Sequence, residues 1–153
     1  MVQSKAWDWG KVSGKDIPYW KTPAAESYYL ASRWRQQGKH DFLDLGCGLG
    51  RHSIFFAKNG FRTSAFDLSA EAVEQTQKWA QAEHLTITST VGDMLALPYP
   101  DASLDCIFSK DVLSHTDTQG VKKIAADILR ILKPAGECYL TLGSKKAWGF
   151  SQP

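Results

Sequence analysis

A glycine-rich segment is the first part of the sequence whose residue types could support chemistry. Asp44, Gly46, Gly48 and Gly50 occupy alternate positions directly after a short apolar run. Glycines let a backbone turn tightly and approach a ligand at a place where a Cβ would collide. A helix that begins behind such a turn also offers free amide hydrogens. The pattern predicts a ligand-binding turn between a strand and a helix, although a tight turn without a ligand has the same local signature.

Dinucleotide-binding proteins use a similar turn, so the spacing of the glycines has to be compared with theirs. Their fingerprint is GxGxxG. Here Arg51 stands at the position of the third glycine, and Gly50 falls one residue earlier. The spacing therefore disfavours a nicotinamide-dependent oxidoreductase.

Two further acidic residues follow predicted strands. Asp67 ends the second strand about 20 residues beyond the glycine turn, where a carboxylate can accept hydrogens from two ribose hydroxyls. Asp93 follows the third strand and can accept from an exocyclic amine such as adenine N6, while Met94 offers its backbone amide and an apolar face. Each acid alone is more often a helix cap or a solvated turn residue. With Asp44, three acids at three successive strand ends favour a nucleoside site.

Alternating apolar strands and amphipathic helices must position these residues. Strands are predicted over 40–46, 62–67, 85–91, 104–109 and 137–142, and helices over 22–37, 51–59, 70–83 and 121–132. This alternation implies a parallel sheet covered on both faces by right-handed crossovers. The predicted fold class is a Rossmann-like, doubly wound α/β sandwich. Ligands of such sheets bind beyond the carboxyl ends of the strands, which is where the glycines and acids fall.

The first 21 residues are rich in Gly, Lys and Trp and predict an irregular arm. Four large rings in this arm, Trp7, Trp9, Tyr19 and Trp20, need burial. For Trp7 and Trp9 we expect packing on the helices of the sheet. For Tyr19 and Trp20, just before the first helix, we expect a lid over the site.

Four segments taken in order resemble the class I S-adenosylmethionine-dependent methyltransferases, in the type 11-like branch with small-molecule substrates. They are DFLDLGCGLGRHSIFFAKNGF, AFDLSAEAVEQTQ, GDMLALPYPDASLDCIFSKDVLSH and ADILRILKPAGECYL, and the similarity covers about residues 40–143. The resemblance divides the chain into an N-terminal arm and helix over the cofactor site, 1–38, and a methyltransferase core, 39–153.

The resemblance also implies which residues bind the cofactor, S-adenosyl-L-methionine. They are Asp44, Gly46, Cys47, Gly48, Gly50, Asp67, Leu68, Asp93, Met94 and Ser109. The glycines would lie against its methionine and ribose. Asp44 would orient the ammonium group and Asp67 would take the ribose hydroxyls. Asp93 and Met94 would hold the adenine, and the backbone at Ser109 would complete the methionine side.

Methyl transfer from a sulfonium chiefly requires alignment of the reacting atoms and exclusion of water. A general base is needed only where the acceptor must lose a proton. His115 could deprotonate an acceptor, since histidine titrates near neutrality, or could instead pack against the cofactor. Asp111 could orient an amine or hydroxyl, or cap the next turn. FSKDVL differs from the Asn/Asp-Pro-Pro-Tyr/Phe motif of family members that methylate nucleic acids or proteins, which disfavours those substrates.

Composition narrows the class of protein further. The net charge is +2 and the basic residues are dispersed, so no nucleic-acid partner is expected. The sequence has neither an apolar leader nor 18 consecutive apolar residues, which predicts a cytoplasmic protein without a membrane span. Cys47, Cys106 and Cys138 form no CxxC pair and predict buried, reduced thiols rather than a metal site.

The sequence predicts a methyltransferase acting on an unidentified small-molecule acceptor. Family members typically carry seven strands, and this chain stops at Pro153, without the last two. We therefore expect an exposed apolar edge on the fifth strand and a homo-oligomer formed through it. The alternatives are a catalytically inactive S-adenosylmethionine-binding module or fragment, an oxidoreductase, and a scaffold without a ligand.

Overall fold

Five strands form one parallel sheet in the computed structural model, which describes residues 8–113 and 116–143. The strands are β1 (Asp41–Leu45), β2 (Arg62–Asp67), β3 (Ile87–Val91), β4 (Leu104–Ser109) and β5 (Leu132–Leu140). Their order across the sheet is β3-β2-β1-β4-β5, and every neighbouring pair is parallel. The order reverses between β1 and β4, so a crevice opens at their carboxyl ends.

Helices cover both faces of this sheet, which confirms the predicted fold class. They are α1 (Ile17–Lys21), α2 (Ala25–Gln36), α3 (Arg51–Lys58), α4 (Ala70–Ala82) and α5 (Thr118–Ile131). Because side chains alternate along a strand, Phe42 of β1 packs beneath α2 and α3, while Leu43 packs beneath α5. No helix among the described residues is long and apolar enough to cross a membrane.

The helix α5 has a capping residue at its start and buries one apolar face. Asp117 caps its start by accepting a hydrogen bond of 2.8 Å from the Gly120 amide. Ile124, Ile128 and Ile131 are almost fully buried, and each contributes about 1.5–3 kcal/mol to stability by leaving water. The helical spacing of Val121, Ile124, Ala125, Ile128, Leu129 and Leu132 predicts a single buried stripe. This prediction is wrong for Leu129, whose side chain is 76% exposed.

The helix α2 is fixed to β5 by a charged contact on one face of the sheet. Arg33 donates two hydrogen bonds, of 2.9 and 2.7 Å, to the Glu137 carboxylate, and Trp34 Nε1 donates a third of 3.0 Å. Arg33 and Trp34 together hold the pKa of Glu137 down, at about 2. These contacts join the N-terminal part of the chain to the last strand.

The structure corrects several sequence expectations. The hydroxyl of Thr22 donates to the Pro18 carbonyl at 2.7 Å and so closes α1, and α2 begins only at Ala25. The segment expected to be irregular contains α1 and a short 3₁₀ turn, Trp9–Lys11. The last strand starts at Leu132, which pairs with Leu104 before a register shift. Cys138 was expected to be buried and is exposed.

Candidate functional site

A cavity of about 290 Å³ lies at the carboxyl ends of the strands, beside the reversal of strand order. Nine of the predicted site residues line it: Trp20, Asp44, Gly46, Cys47, Gly48, Asp67, Leu68, Met94 and Asp111. Four others, Tyr19, Gly50, Asp93 and Ser109, lie outside its lining. His115 and Trp7 fall outside the residues that the structure describes.

The glycine turn forms the floor of the cavity. The amides of Gly46 and Cys47 both donate to the Phe66 carbonyl, at 2.7 and 2.9 Å, which fixes the turn to β2. Gly46 has φ +78°, and a Cβ there would collide with Val112. Gly50 has φ +95°, and a Cβ there would lie 2.8 Å from Thr76 Oγ1. Gly46 and Gly50 are therefore required both for the left-handed backbone conformation and for close packing.

Asp67 is fixed at one side of the cavity by the backbone of the turn. Its Oδ2 accepts a hydrogen bond of 2.9 Å from the Gly48 amide, and its Oδ1 accepts one of 2.8 Å from the Ser69 amide. A carboxylate has about four acceptor sites on its two oxygens, so capacity for a ligand remains on each. This geometry suits a pair of neighbouring hydroxyl groups.

Asp44 is a buried carboxyl group beneath the glycine turn. It is only 2% exposed and accepts a hydrogen bond of 2.6 Å from Ser53 Oγ. The pKa of Asp44 is raised to about 7, chiefly by burial and also by the charge of Asp67, while hydrogen bonds from Ser53 and the charge of Arg51 oppose the shift. A cationic ligand in the cavity would favour the ionised form of this carboxyl group and so lower its pKa.

The remaining predicted residues divide between the cavity and the framework around it. Met94 is buried and lines the cavity, whereas the Asp93 carboxylate accepts from the Leu95 amide at 2.9 Å. Ser109 is fully buried, and its hydroxyl donates to the Leu45 carbonyl at 2.9 Å, between β1 and β4. Burial raises the pKa of the Cys47 thiol, which therefore stays protonated.

Asp111 lines the cavity at the end of β4. Its Oδ1 accepts from the Thr141 hydroxyl at 3.2 Å, and that hydroxyl accepts from the Asp111 amide at 2.6 Å. The preceding residue, Lys110, pairs with Glu26 at 3.2 Å, and Tyr139 donates to the same Glu26 oxygen. Asp111 is thus joined to the segment after β5.

Two tryptophans form an aromatic wall on the N-terminal side. The rings of Trp9 and Trp20 meet edge to face with centroids 5.1 Å apart, and Tyr19 packs on Trp20 at the same distance. Trp9 lies against the glycine turn, because a Cβ on Gly48 would be 2.5 Å from its Cζ2. The expectation that Trp9 packs on the helices of the sheet is wrong. Tyr19 is 58% exposed and lies behind Trp20.

Two buried residues at the start of α3 were missed by the sequence reasoning. Arg51 is 9% exposed, donates to the Thr22 carbonyl at 3.1 Å, and lies 5.1 and 5.5 Å from the Tyr19 and Trp20 rings. His52 accepts from the Ala24 amide at 3.1 Å. Burial and the charges of Arg51 and Lys110 lower the pKa of His52 to about 3. The sequence offered one signal for these residues, because Arg51 stands where the dinucleotide-binding fingerprint has its third glycine.

Comparisons with known proteins agree on one family. A family profile described as a methyltransferase domain matches residues 42–136. The 2-methyl-6-phytyl-1,4-hydroquinone methyltransferase of Synechocystis sp. is 33% identical over 95 residues, which are 61% of this chain and 29% of that protein. The ubiquinone biosynthesis O-methyltransferase of Coxiella burnetii is 28% identical over 137 residues, 89% of this chain and 57% of that protein.

A solved structure with related sequence has the same fold. A protein of Methanococcus maripaludis, described as an S-adenosyl-L-methionine-dependent methyltransferase, superposes with a TM-score of 0.68 at 26% identity. The match covers 82% of this chain and 58% of that one. Across these three comparisons the chain spans between 29% and 58% of the length of its relatives.

Proposed function

Because this chain belongs to the methyltransferase domain family, we propose that it binds S-adenosyl-L-methionine and transfers the methyl group to a small-molecule acceptor. The observation that carries the proposal is the pairing of the Asp67 carboxylate with the Gly48 amide, at 2.9 Å, on the floor of the cavity. This hydrogen bond places Asp67, the last residue of β2, beside the glycine turn, so that both can contact the same ligand.

The charges around the cavity favour this cofactor over a dinucleotide. Asp44 and Asp67 both line the cavity, and a diphosphate placed against them would be repelled. S-adenosyl-L-methionine carries a sulfonium, an ammonium and a ribose diol, which match two carboxylates. We infer that Asp67 accepts from the ribose hydroxyls and that Asp44 pairs with the ammonium.

The protein has to hold the reactants in line and keep water out. When bound, the cofactor supplies an electrophilic methyl group. Trp9 and Trp20 on one side, and Phe66, Met94 and Val112 on the others, give the cavity apolar walls that exclude water. Positioning of this kind accounts for a large share of the barrier reduction in such displacements.

We propose that the methyl acceptor binds at the β4 end of the cavity. Asp111 lines the cavity there, and its carboxylate is a candidate for orienting a hydroxyl or amine of the acceptor. His115 remains a predicted base outside the described residues. The names of the two curated relatives refer to a hydroquinone and to ubiquinone biosynthesis, which supports a small organic acceptor.

Calorimetric titration with S-adenosyl-L-methionine and with S-adenosylhomocysteine tests the cofactor site. We expect dissociation constants in the micromolar range, equivalent to about 8 kcal/mol. Asp67→Asn should weaken binding at least about tenfold, because a hydrogen bond to a charged group contributes about 1.5–3 kcal/mol. Asp101→Asn is the matched control, since Asp101 is exposed and pairs with Arg130 away from the cavity. Absence of binding by the wild-type chain would refute the proposal.

Methyl-transfer assays distinguish an enzyme from a binding module. Incubation with methyl-labelled cofactor and a panel of phenols, hydroquinones and amines should transfer label to at least one acceptor. Tight cofactor binding without transfer to any of them would favour the inactive module instead.

A further inference from the structure

The loop over 92–103, which joins β3 to β4, carries part of the candidate site and contains no helix or strand. Met94 lines the cavity, and Asp93 and Met94 are the residues expected to hold the base of the cofactor. Loops of this length without secondary structure of their own are uncommon and are usually functional. The contacts that fix the path of this loop therefore bear on which base the cavity accepts.

Two charged side chains on one face of α5 hold both backbone polar groups of Leu97 in this loop. The Leu97 amide donates to Asp127 Oδ2 at 3.0 Å, and the Leu97 carbonyl accepts from Arg130 at 3.1 Å. Arg130 Nε also donates to Asp127 Oδ1 at 2.7 Å, which joins the two side chains to each other. The Tyr99 carbonyl accepts a further hydrogen bond of 2.8 Å from Arg130. We call Asp127 and Arg130 the α5 clamp.

The α5 clamp depends on the planar guanidinium group of Arg130. All three of its nitrogens are used, Nε for Asp127 and the two terminal nitrogens for loop carbonyls. Lysine has a single nitrogen on a flexible stem and cannot reproduce this fork. Asp101 also accepts from Arg130 at 2.8 Å, but its side chain is 80% exposed, and exposed ion pairs contribute little. Asp101 is therefore left outside the clamp.

Apolar burial holds the loop on the core but does not fix its exact position. Leu95 and Leu97 are buried in one cluster with Ile128 of α5. Burial has no preferred direction, whereas a hydrogen bond tolerates only a narrow range of distance and angle. A groove of about 530 Å³ lies between residues 95–97 and α5, so close packing does not complete the support of the backbone there. The hydrogen bonds of the α5 clamp supply the missing direction.

We propose that Asp127 and Arg130 are positioning residues for recognition of the adenine base. By fixing Leu97, they hold Met94, three residues earlier, at the place where the loop can distinguish adenine from other bases. Neither residue is part of the cavity lining, so both act through the loop. This inference rests on the proposed function, because it concerns how the same site recognises its cofactor.

The test compares two ligands that differ only in the base. They are S-adenosylhomocysteine and S-inosylhomocysteine, in which hypoxanthine replaces adenine. Adenine accepts a hydrogen bond at N1 and donates from N6, whereas hypoxanthine donates from N1 and accepts at O6. Affinities are measured by calorimetry on the whole chain. Wild type should prefer S-adenosylhomocysteine at least about tenfold, because hypoxanthine leaves polar groups of the loop mismatched.

Opening the α5 clamp should reduce this preference. In Arg130→Lys, which keeps the charge but not the fork, the preference should fall at least about threefold, because the loop occupies its competent conformation less often. Asp127→Asn should have a similar effect, since an amide beside Arg130 loses the charged acceptor. The double variant should lose no more preference than the more affected single variant, because each substitution opens the same clamp.

Arg33→Lys is the matched control for a general loss of stability. Arg33 makes a comparable forked ion pair with Glu137, and its side chain is 42% exposed against 36% for Arg130. That pair fixes α2 to β5, away from the loop. Arg33→Lys should lower the thermal midpoint and leave the preference between the two ligands within twofold. Partial unfolding reduces both affinities by the same factor, so the preference separates positioning from folding.

Three results would overturn the inference while leaving the proposed function intact. They are an equal loss of affinity for the two ligands in Arg130→Lys, unchanged affinities in that variant, and a wild type that binds the two ligands equally. If wild type binds neither ligand, the proposed function itself fails, and the inference with it.

Discussion

At the scale of single residues, Asp44 is the position where ligand binding and stability oppose each other. Its pKa is raised from 3.8 to about 7, chiefly by burial, so the folded protein binds this proton more tightly than the unfolded chain. The free energy of unfolding therefore decreases as the pH rises from about 4 to 7, because the buried carboxyl group has to ionise. Ser53 and Arg51 reduce this penalty, and Asp67 increases it.

Replacing Asp44 by Asn should stabilise the ligand-free protein and weaken its binding of S-adenosylhomocysteine. The amide has the same shape, can still accept from Ser53, and carries no charge to bury. At pH 8 we expect a thermal midpoint several degrees higher, and at least about tenfold lower affinity, because the ammonium group loses its partner. Differential scanning calorimetry and titration measure the two effects. A lower midpoint together with unchanged affinity would contradict this account of Asp44.

The wild-type affinity should also depend on pH in a defined direction. Below pH 7 Asp44 is protonated, so binding of an ammonium group must release a proton. Affinity for S-adenosylhomocysteine should therefore decrease from pH 8 to pH 6, and this decrease should be absent in Asp44→Asn.

At the scale of elements, the turn between β1 and α3 depends on glycines for two separable reasons. Gly50 has φ +95°, and an added Cβ would lie 2.8 Å from Thr76 Oγ1. Gly60, after α3, has a similar φ of +88° but open space around it. A side chain at either position would therefore strain the left-handed backbone, but only at Gly50 would it also collide with a neighbouring side chain.

Gly50→Ala should destabilise the protein more than Gly60→Ala. The left-handed backbone costs about 1–2 kcal/mol in both variants, and only Gly50→Ala has to displace Thr76 on α4. Chemical denaturation gives the two free energies of unfolding. If the free energy of unfolding fell equally in both variants, the turn and α4 would be able to relax around the added methyl group. Close packing would then not require glycine at position 50.

At the scale of the whole molecule, the sheet ends in an edge that pairs with nothing in the described part of the chain. β5 is the outermost strand, next to β4, and Cys138 on it is exposed. Thr141 donates to Ser109 across the β4 side. Since alternate residues of a strand point their amides to opposite sides, the Cys138 amide points outward. An open edge of this kind is a template for pairing with another strand.

We expect the chain to self-associate through β5, and Cys138→Pro to prevent it. Proline removes the outward amide and leaves the inward hydrogen bonds to β4 unchanged. Light scattering after size-exclusion chromatography at micromolar concentration should show a dimer or larger species for wild type and a monomer for the variant. Cys138→Ser, which keeps the amide, is the control. A wild-type chain that is monomeric under these conditions would refute the expectation.

Local sequence was sufficient for most of the fold and for the floor of the site. The strand–helix alternation, the glycine turn and the acids at the carboxyl ends of β1, β2 and β3 are all set by short-range patterns. Parallel strands place their carboxyl ends at one edge of a sheet, so residues that follow different strands meet there regardless of their distance along the chain. Asp44 and Asp67 could therefore be assigned to one cavity before any contact was known.

Only the tertiary structure placed Trp9 and Arg51 in the walls of the cavity. Trp9 has no periodic pattern around it, and its contact with Gly48 joins segments about 40 residues apart. Arg51 finds its acceptor on Thr22, and the Thr22 hydroxyl closes α1 instead of starting α2. Hydrophobic period and spacing specify which face of an element is buried, whereas the partner of an individual polar side chain depends on which distant segments pack together. The sequence alone therefore determined the sheet and its ligand-binding edge, and the packing of the N-terminal segment on that edge determined which side chains complete the site.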